Sequence, residues 1–537
     1  MNRVIICSLF IVLLVSCSKH DPISTNENNP DAKLIQDFNH PGQVIIPNAV
    51  DADIATIING PGTGDYSQDR PWVDGQNRPW AVATGLHLMG ANQQQIMYRF
   101  VSDNTKMGQV LAVPGIIGTG QKRLPRVAAC YVYDADHPND PNRTFIEVAI
   151  AYQYRANLQD ETKWQIRVKR MGFSVASINN NNFVHTWQVN EIAIDNFGND
   201  DNQPDIAYDP TGNGTSEGGN LYVVFSRIYS AGDKGGAAEI LMRRGERLYD
   251  ENSNMNMKWT WYPDAGIPVQ RYEESPSGWG ADLHNGYLPR IDIGKVIFPA
   301  GTSHEWKIAI AYTGGKYKNI SDMGWHVRIN YWDIIDIEDD DPLIHKRTKV
   351  AEHNHRVYSG QFPYFPSGLP MLDIGDPGSN HAALVWNQAK SHDWKNVTIV
   401  YGDIHGGFHQ FSNDASWIAE CFASPSVVAV LGSHPHYYSS VSFLRSENYL
   451  WGHWNPIAQS ITRTVAVEPD DPLTSIGEIK HDFGHLYGAW EPGAMVSHSL
   501  GMSTAMSSFG ANYWMVWSGY ETEGGPCHVY GSFGNTS

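Results

Sequence analysis

Arginine and aspartate side chains stand at comparable places along this chain of 537 residues. Arg126 and Arg290 each follow a proline, in Leu124-Pro125-Arg126-Val127 and Leu288-Pro289-Arg290-Ile291. Asp205 follows Gln203-Pro204, and Met371 follows Leu369-Pro370. Two residues beyond these positions come Ala128, Ala207, Asp292 and Asp373. A guanidinium offers a planar fork of donors that clamps a carboxylate through two parallel bonds. Two carboxyl groups at a suitable separation, such as Asp292 and Asp373, instead suit hydrolysis of a glycosidic bond. The structural alternative is that all these groups brace neighbouring strands as ion pairs.

Other residue types point to other chemistry. Asp195, Asn199, Asp200 and Asp201 crowd one loop with hard oxygen ligands, the kind calcium uses, but without the spacing or closing Glu of an EF-hand. That makes the loop a candidate for structural calcium and otherwise a solvated acidic loop. A second acidic run covers Asp333, Asp336 and Glu338-Asp339-Asp340-Asp341. Fourteen of the 22 histidines fall from His345 onward, among them His481-Asp482-Phe483-Gly484-His485. That spacing lacks the Glu beside the first His and carries Gly in the turn, so it is no helical zinc motif. Tyr437, Tyr438 and Trp490 lie near several of these histidines in sequence and are candidates for a lining that stacks on sugar rings.

The elements that position these residues repeat. Prolines 125, 204, 289 and 370 are 79, 85 and 81 residues apart. Each opens a short strand, because proline is tolerated where no ladder donor is missed. A second strand follows in each unit: Val148–Tyr152, Leu221–Phe225, Ile308–Tyr312 and Ala382–Trp386. Third strands follow at Trp164–Val168, Glu239–Met242, Trp325–Tyr331 and Val397–Tyr401, and weaker copies open at Pro79, Pro425 and near Pro492. Regular return of a three- to four-strand unit predicts an all-β fold, a six- or seven-bladed β-propeller over residues 38–537. Its ligands would sit where loops converge at the axis, close to the residue after each opening proline.

Composition fits that reading. Charged residues make up 18%, aromatics 12%, and Gly (50) with Pro (30) supply the turns. A net charge of −19 argues against nucleic acid, which needs a basic stripe, and against electrostatic docking to anionic lipid. Outside the first 20 residues only Cys130, Cys421 and Cys527 remain, too few for a disulfide framework.

The N-terminus predicts an address. Arg3 precedes an apolar run from Val4 to Val15, too short for the roughly 20 residues that span a bilayer. Its end, Leu14-Val15-Ser16-Cys17, resembles the lipobox of bacterial lipoproteins. The resemblance implies cleavage of residues 1–16, lipidation of Cys17 and, with Ser18 after the cysteine, delivery to the outer membrane, periplasmic or surface-facing. Residues 17–37 then read as a polar tether of roughly 25 Å root-mean-square reach.

Three turns join an Asp to a Trp: Asp160 to Trp164, Asp322 to Trp325 and Asp393 to Trp394. They resemble, loosely, the Asp-box turns of sialidase-like propellers. That family's chemistry implies an arginine clamp, to which Arg126 and Arg290 would belong, and a Tyr or Glu such as Tyr272-Glu273-Glu274 supplies. No third arginine matches. The expectation is therefore a membrane-anchored propeller that binds a glycan or protein without catalysis, the alternative being a sialidase-like or other carbohydrate-active hydrolase.

Overall fold

Among the described residues, the strand segments 145–153, 168–173, 221–227 and 238–245 are buried on both faces. The computed structural model describes residues 43–209 apart from short segments, of which 61–71, 91–92, 117–119, 157–162 and 195–198 are the longest, and beyond them mainly the strands given below. Side-chain surroundings past residue 245 are described for 288–294, 308–312, 373, 514–518 and 526–533.

In chain order, β1 (Gln43–Ile46) is followed by β2 (Ala49–Asn59), β3 (Ala81–Gly90) and β4 (Gln93–Asp103), with β5 (Lys106–Met107) and β6 (Leu111–Ala112) completing that group. The next group is β7 (Gln121–Val132), β8 (Phe145–Arg155), β9 (Gln165–Ser174), a single helical turn α1 (Val175–Asn179) and β10 (Trp187–Ala193). Then come β11 (Asp200–Tyr208), β12 (Leu221–Ile228), β13 (Ala238–Tyr249) and β14 (Met257–Gln270). They are followed by β15 (His284–Ile297), β16 (His304–Lys316), β17 (His326–Asp333) and β18 (Lys349–His355). Two further groups are β19 (Ser367–Ile374), β20 (Ala382–Ala389), β21 (Val397–Asp403), β22 (Gly407–Gln410), and β23 (Ser426–Val430), β24 (His436–Leu450), β25 (His453–Glu468), β26 (Asp471–His485), β27 (Gly488–Ala489). The last strands are β28 (Thr504–Phe509), β29 (Asn512–Tyr520) and β30 (Cys527–Asn535).

Each group is an antiparallel meander, in the orders β11-β12-β13-β14, β15-β16-β17-β18 and β19-β20-β21-β22, for example. The meanders headed by β2 and β7 share one sheet, because Ile57, Ile58 and Asn59 pair in parallel with Ala129, Cys130 and Tyr131. The N-terminal β1 joins the C-terminal strands in the order β1-β30-β29-β28. Among the described strands, the first strands touch in sequence from β2 through β7, β11, β15, β19 and β23 to β28, and β28 touches β2 again. Residues Asp37–Ser537 make one compact unit.

The predicted second strands appear as parts of β8, β12, β16 and β20, and the third strands in β9, β13, β17 and β21. Pro425 directly precedes β23. Pro79 does not open its group: it precedes β3, the second strand, and the first strand is β2, where Ala52 stands in place of proline. Pro492 lies outside the described residues.

Packing explains the sequence of the second strands. In β8, Val148, Ile150 and Tyr152 enter a core shared with Trp80, Tyr98 and Phe100 of the preceding meander. Ala149 and Ala151 face the other way, toward Ile206, Leu221 and Val223 of the following one. Ile308, Ile310 and Tyr312 of β16 join Tyr222, Val224 and Ile240 on the same principle. Large residues thus reach one neighbour while alanines let the other approach closely. Full burial of each large side chain contributes about 1.5–3 kcal/mol.

Candidate functional site

A bulge builds the candidate site. In β2, β7, β11 and β15 the ladder skips two residues, between Val50 and Asp53, Arg123 and Arg126, Asn202 and Asp205, and Tyr287 and Arg290. β19 repeats the skip between Gly368 and Met371. In the first four strands the first skipped residue is left-handed, with φ of 53° at Asp51, 48° at Leu124, 58° at Gln203 and 54° at Leu288. Non-glycine residues rarely adopt that region, so its return at four equivalent places marks a built feature. Proline, or alanine in β2, fills the second place, where no ladder bond is made.

The bulge delivers the next side chain to the line where first strands meet. Asp53, Arg126, Asp205 and Arg290 therefore alternate in sign along four consecutive strands. Arg126 Nη1 lies 3.2 Å from Asp53 Oδ1. Asp53 Oδ2 accepts the Val127 N–H at 2.8 Å, and Asp205 Oδ2 accepts the Ile291 N–H at 2.9 Å. One step back, Asp51 Oδ2 accepts the Leu124 N–H at 3.2 Å and Gln203 Oε1 the Leu288 N–H at 2.8 Å. β2 and β11 are thus acceptor strands, and β7 and β15 are arginine strands that receive them. Arg290 Nη1 also donates to its own Pro289 carbonyl at 2.9 Å.

Burial dominates the electrostatics. It pushes the Asp53 carboxyl up to about 6, with Arg126 opposing and Asp205 reinforcing the shift. It lowers Arg290 to about 10, assisted by the charge of Arg126 and opposed by Asp205 and Asp53. The four groups therefore act on one another as a cluster. Arg126 Nε is buried without a hydrogen-bond partner. Asp53 is a carboxyl whose proton exchanges close to neutral pH beside a guanidinium with a donor to spare.

The other predicted residues divide. Asp292 and Asp373 hold equivalent register positions in β15 and β19, opposite Ala309 and Ala383, and both are half-buried. Asp292 Oδ1 accepts the Ile293 N–H at 2.9 Å. Asp201 is fully buried and forks onto Arg227 with both bonds at 2.8 Å, while Asp200 Oδ1 accepts the Trp164 N–H at 3.0 Å. Asn199 is half-buried, and Asp195 lies outside the described residues. Among the described residues no group of three or more His, Cys, Asp or Glu is arranged to hold a metal ion. Tyr437 and Tyr438 fall in β24, with their side chains outside the described ones, as is Trp490. His481 and His485 sit in strand β26, so their spacing is not helical. The Asp160, Asp322 and Asp393 turns and Tyr272–Glu274 lie outside the described residues, as does Cys17. Cys130 and Cys527 are buried thiols.

Sequence reasoning passed over Asp51 and Asp53, because it searched for the opening proline. A signal was available. Asp53-Ile54-Ala55 repeats Asp205-Ile206-Ala207, one residue after Ala52 and Pro204 respectively.

No protein-family model matches this chain, and no curated protein matches it at a significant level. Solved structures similar in chain course include the α-L-arabinofuranosidase Arb93A from Fusarium graminearum, at 10% identity, 76% of this chain, 92% of that chain and a TM-score of 0.38. The polysaccharide lyase Uly1 is similar over 93% of this chain and 100% of its own, at 9% identity and a TM-score of 0.39. A family 32 glycoside hydrolase from Bifidobacterium adolescentis is similar over 93% of this chain and 78% of its own, at 11% identity and a TM-score of 0.31.

Proposed function

We propose that the chain is a seven-bladed β-propeller that binds a carbohydrate over the cluster of Asp53, Arg126, Asp205 and Arg290. The single observation that carries the reading is the sign alternation of these four groups along four adjoining first strands. The cyclic order of first-strand contacts and the pairing of β1 with β30 support the propeller. Each aspartate–arginine neighbour pair presents acceptors beside donors, the complement of sugar hydroxyls. The charges nearly cancel within the cluster, which favours a neutral polyol over a free ion. An acidic chain, at −19, suits a neutral ligand better than a polyanion.

A second reading has its own observation. An Asp53 carboxyl pushed up to about 6 holds its proton in an appreciable fraction of molecules near neutral pH, which a general acid requires. Paired with a second axial carboxylate such as Asp205, it would suit hydrolysis of a glycosidic bond. A glycan array on the full chain, followed by incubation of each bound glycan, separates the two. Binding without released sugar supports the first reading, released sugar lost in Asp53→Asn supports the second, and absence of any glycan binding overturns both.

We further propose that Cys17 carries the lipid that holds the protein at an outer membrane, facing periplasm or surface. The lipobox resemblance supports it. Cys17→Ala should move the protein from the membrane to the soluble fraction, and a variant that stays membrane-bound would remove the argument.

A further inference from the structure

The four-strand cluster consists of two copies of one unit. The first copy is β2 with β7, and the second is β11 with β15. In each, an acceptor strand precedes an arginine strand, and two side-chain bonds cross the seam between them. Asp51 and Gln203 hold the first acceptor place and receive the Leu124 and Leu288 N–H groups at 3.2 and 2.8 Å. Asp53 and Asp205 hold the second and receive the Val127 and Ile291 N–H groups at 2.8 and 2.9 Å. The backbone repeats as well, with φ of 53° and 58° on the acceptor strands and 48° and 54° on the arginine strands.

The likeness extends beyond the bulge. Asp53-Ile54-Ala55 matches Asp205-Ile206-Ala207. Arg126 stands opposite Ala151, and Arg290 stands opposite Ala311. Those alanines belong to Val148-Ala149-Ile150-Ala151-Tyr152 and Ile308-Ala309-Ile310-Ala311-Tyr312, whose tyrosines are both fully buried. Each arginine thus has the same backbone and the same small neighbour across the ladder.

Each unit is bounded. Leu124 and Leu288 occupy the first acceptor place on the arginine strands, and a leucine side chain has no acceptor to offer the next strand. β19 keeps the skip, but Leu369 and Met371 stand where a third unit would carry its acceptors. The seam bonds therefore run from β2 to β7 and from β11 to β15, and the alternation stops at β15. The two units still feel one another: the charges of Asp205 and Arg290 act on Asp53, and that of Arg126 acts on Arg290. Both pairs therefore serve one locality.

Equal donors and acceptors on equal backbone select equal ligand groups. We propose, on the carbohydrate reading of this cluster, that the Asp53–Arg126 and Asp205–Arg290 pairs are two like subsites filled by two adjacent units of one neutral homo-oligosaccharide. One sugar meets one pair. A second unit linked to it then binds as an intramolecular event, which raises affinity without any new kind of contact.

Calorimetric titration of the full chain with glucose, xylose, arabinose, galactose and mannose, and with the linear di- and trisaccharide of each, reads the subsites. In the series that binds, the disaccharide should bind about a hundredfold more tightly than the monosaccharide, and the trisaccharide at most about twofold better still. Arg126→Leu and Arg290→Leu should each return the disaccharide to about the affinity of the monosaccharide, which still binds through the other pair. Should a leucine variant not fold, Arg126→Lys or Arg290→Lys, which keeps the charge and loses the planar fork, should show the same loss in smaller degree. A disaccharide no tighter than its monosaccharide, or one arginine variant that abolishes monosaccharide binding, overturns the paired subsites and leaves the carbohydrate reading in place. No binding in any of the five series, with a glycan still captured on the array, likewise overturns the subsites alone; no binding in either experiment overturns both.

Discussion

Asp53 in β2 accepts the backbone N–H of Val127 in β7 at 2.8 Å, across the seam between two meanders. The same bond recurs between Asp205 and Ile291 at 2.9 Å, two first strands further on. The aspartate therefore has two tasks. It satisfies a backbone donor just past the bulge of the next first strand, and it sets a carboxylate against that strand's guanidinium. A buried donor without an acceptor costs about 1–3 kcal/mol, so the position is held by folding as well as by any ligand.

Removing Asp53 should therefore cost stability as well as ligand. Asp53→Ala strands the Val127 N–H and leaves Arg126 buried without its carboxylate. The expected loss is on the order of 3 kcal/mol, read as a shift in denaturant midpoint. Adding Arg126→Leu should recover part of it, because the uncompensated charge goes with the guanidinium. A single variant as stable as the wild type would show that the seam does not depend on this pair.

The two best-held aspartates should give pH responses of opposite sign. Asp53 is raised to about 6 by burial, so its proton is bound more tightly in the folded chain. Its contribution is greatest below about 4 and is lost as pH rises through about 6. Asp74 behaves in reverse: burial works against its charge, but bonds from Arg78, Trp80 and Gln76 hold the carboxyl below its ordinary value. Its contribution is present above pH about 4 and is lost as pH falls through the lowered value. Relative to the wild type, Asp53→Asn should gain stability as pH rises from about 4 to 7, whereas the deficit of Asp74→Asn should be constant over that range and shrink as pH falls below about 4. Unfolding midpoints for both variants from about pH 2 to 7 decide the signs.

The periodicity of prolines was legible in the sequence because it has a physical cause, the unpaired place in a bulge. It located four first strands, and it brought Arg126, Asp205 and Arg290 forward as neighbours. Asp53 was not legible by that rule, since Ala52 fills the same unpaired place without changing the backbone. Arg126 was read as either a clamp for an acidic ligand or a brace between strands, and it faces a carboxylate of the chain. That pairing depends on which residue stands on the preceding first strand, 73 residues earlier, and no local pattern reports it. Asp201 was misleading for a related reason. Its neighbours in sequence are acidic, but its neighbour in space is Arg227 on the adjoining strand.

Glu147 should be the most sensitive acid outside the cluster. It is fully buried in β8, accepts both arms of Arg170 at 2.6 and 2.8 Å, and accepts the Tyr208 hydroxyl of the next meander at 2.6 Å. Glu147→Ala should cost about 3–5 kcal/mol, since it leaves Arg170 buried without its carboxylate. Tyr208→Phe removes the bond between meanders while keeping the ion pair and should cost about 1–2 kcal/mol. Equal losses in the two variants would show that the hydroxyl, rather than the ion pair, carries the contribution.

Chelation tests the acidic loop ahead of β11. A calcium ion would require six to eight oxygen ligands at 2.3–2.6 Å. Asp201 commits both oxygens to Arg227, and Asp200 commits Oδ1 to the Trp164 N–H. Binding calcium through Asp201 would break a buried fork and leave Arg227 without its counter-charge, a loss of several kcal/mol that the ion would have to exceed. The unfolding midpoint of the full chain should accordingly be the same with and without EDTA. A drop restored by calcium would instead place an ion at this loop with its ligands drawn from residues other than Asp201, and Asp201→Asn would then leave that drop intact.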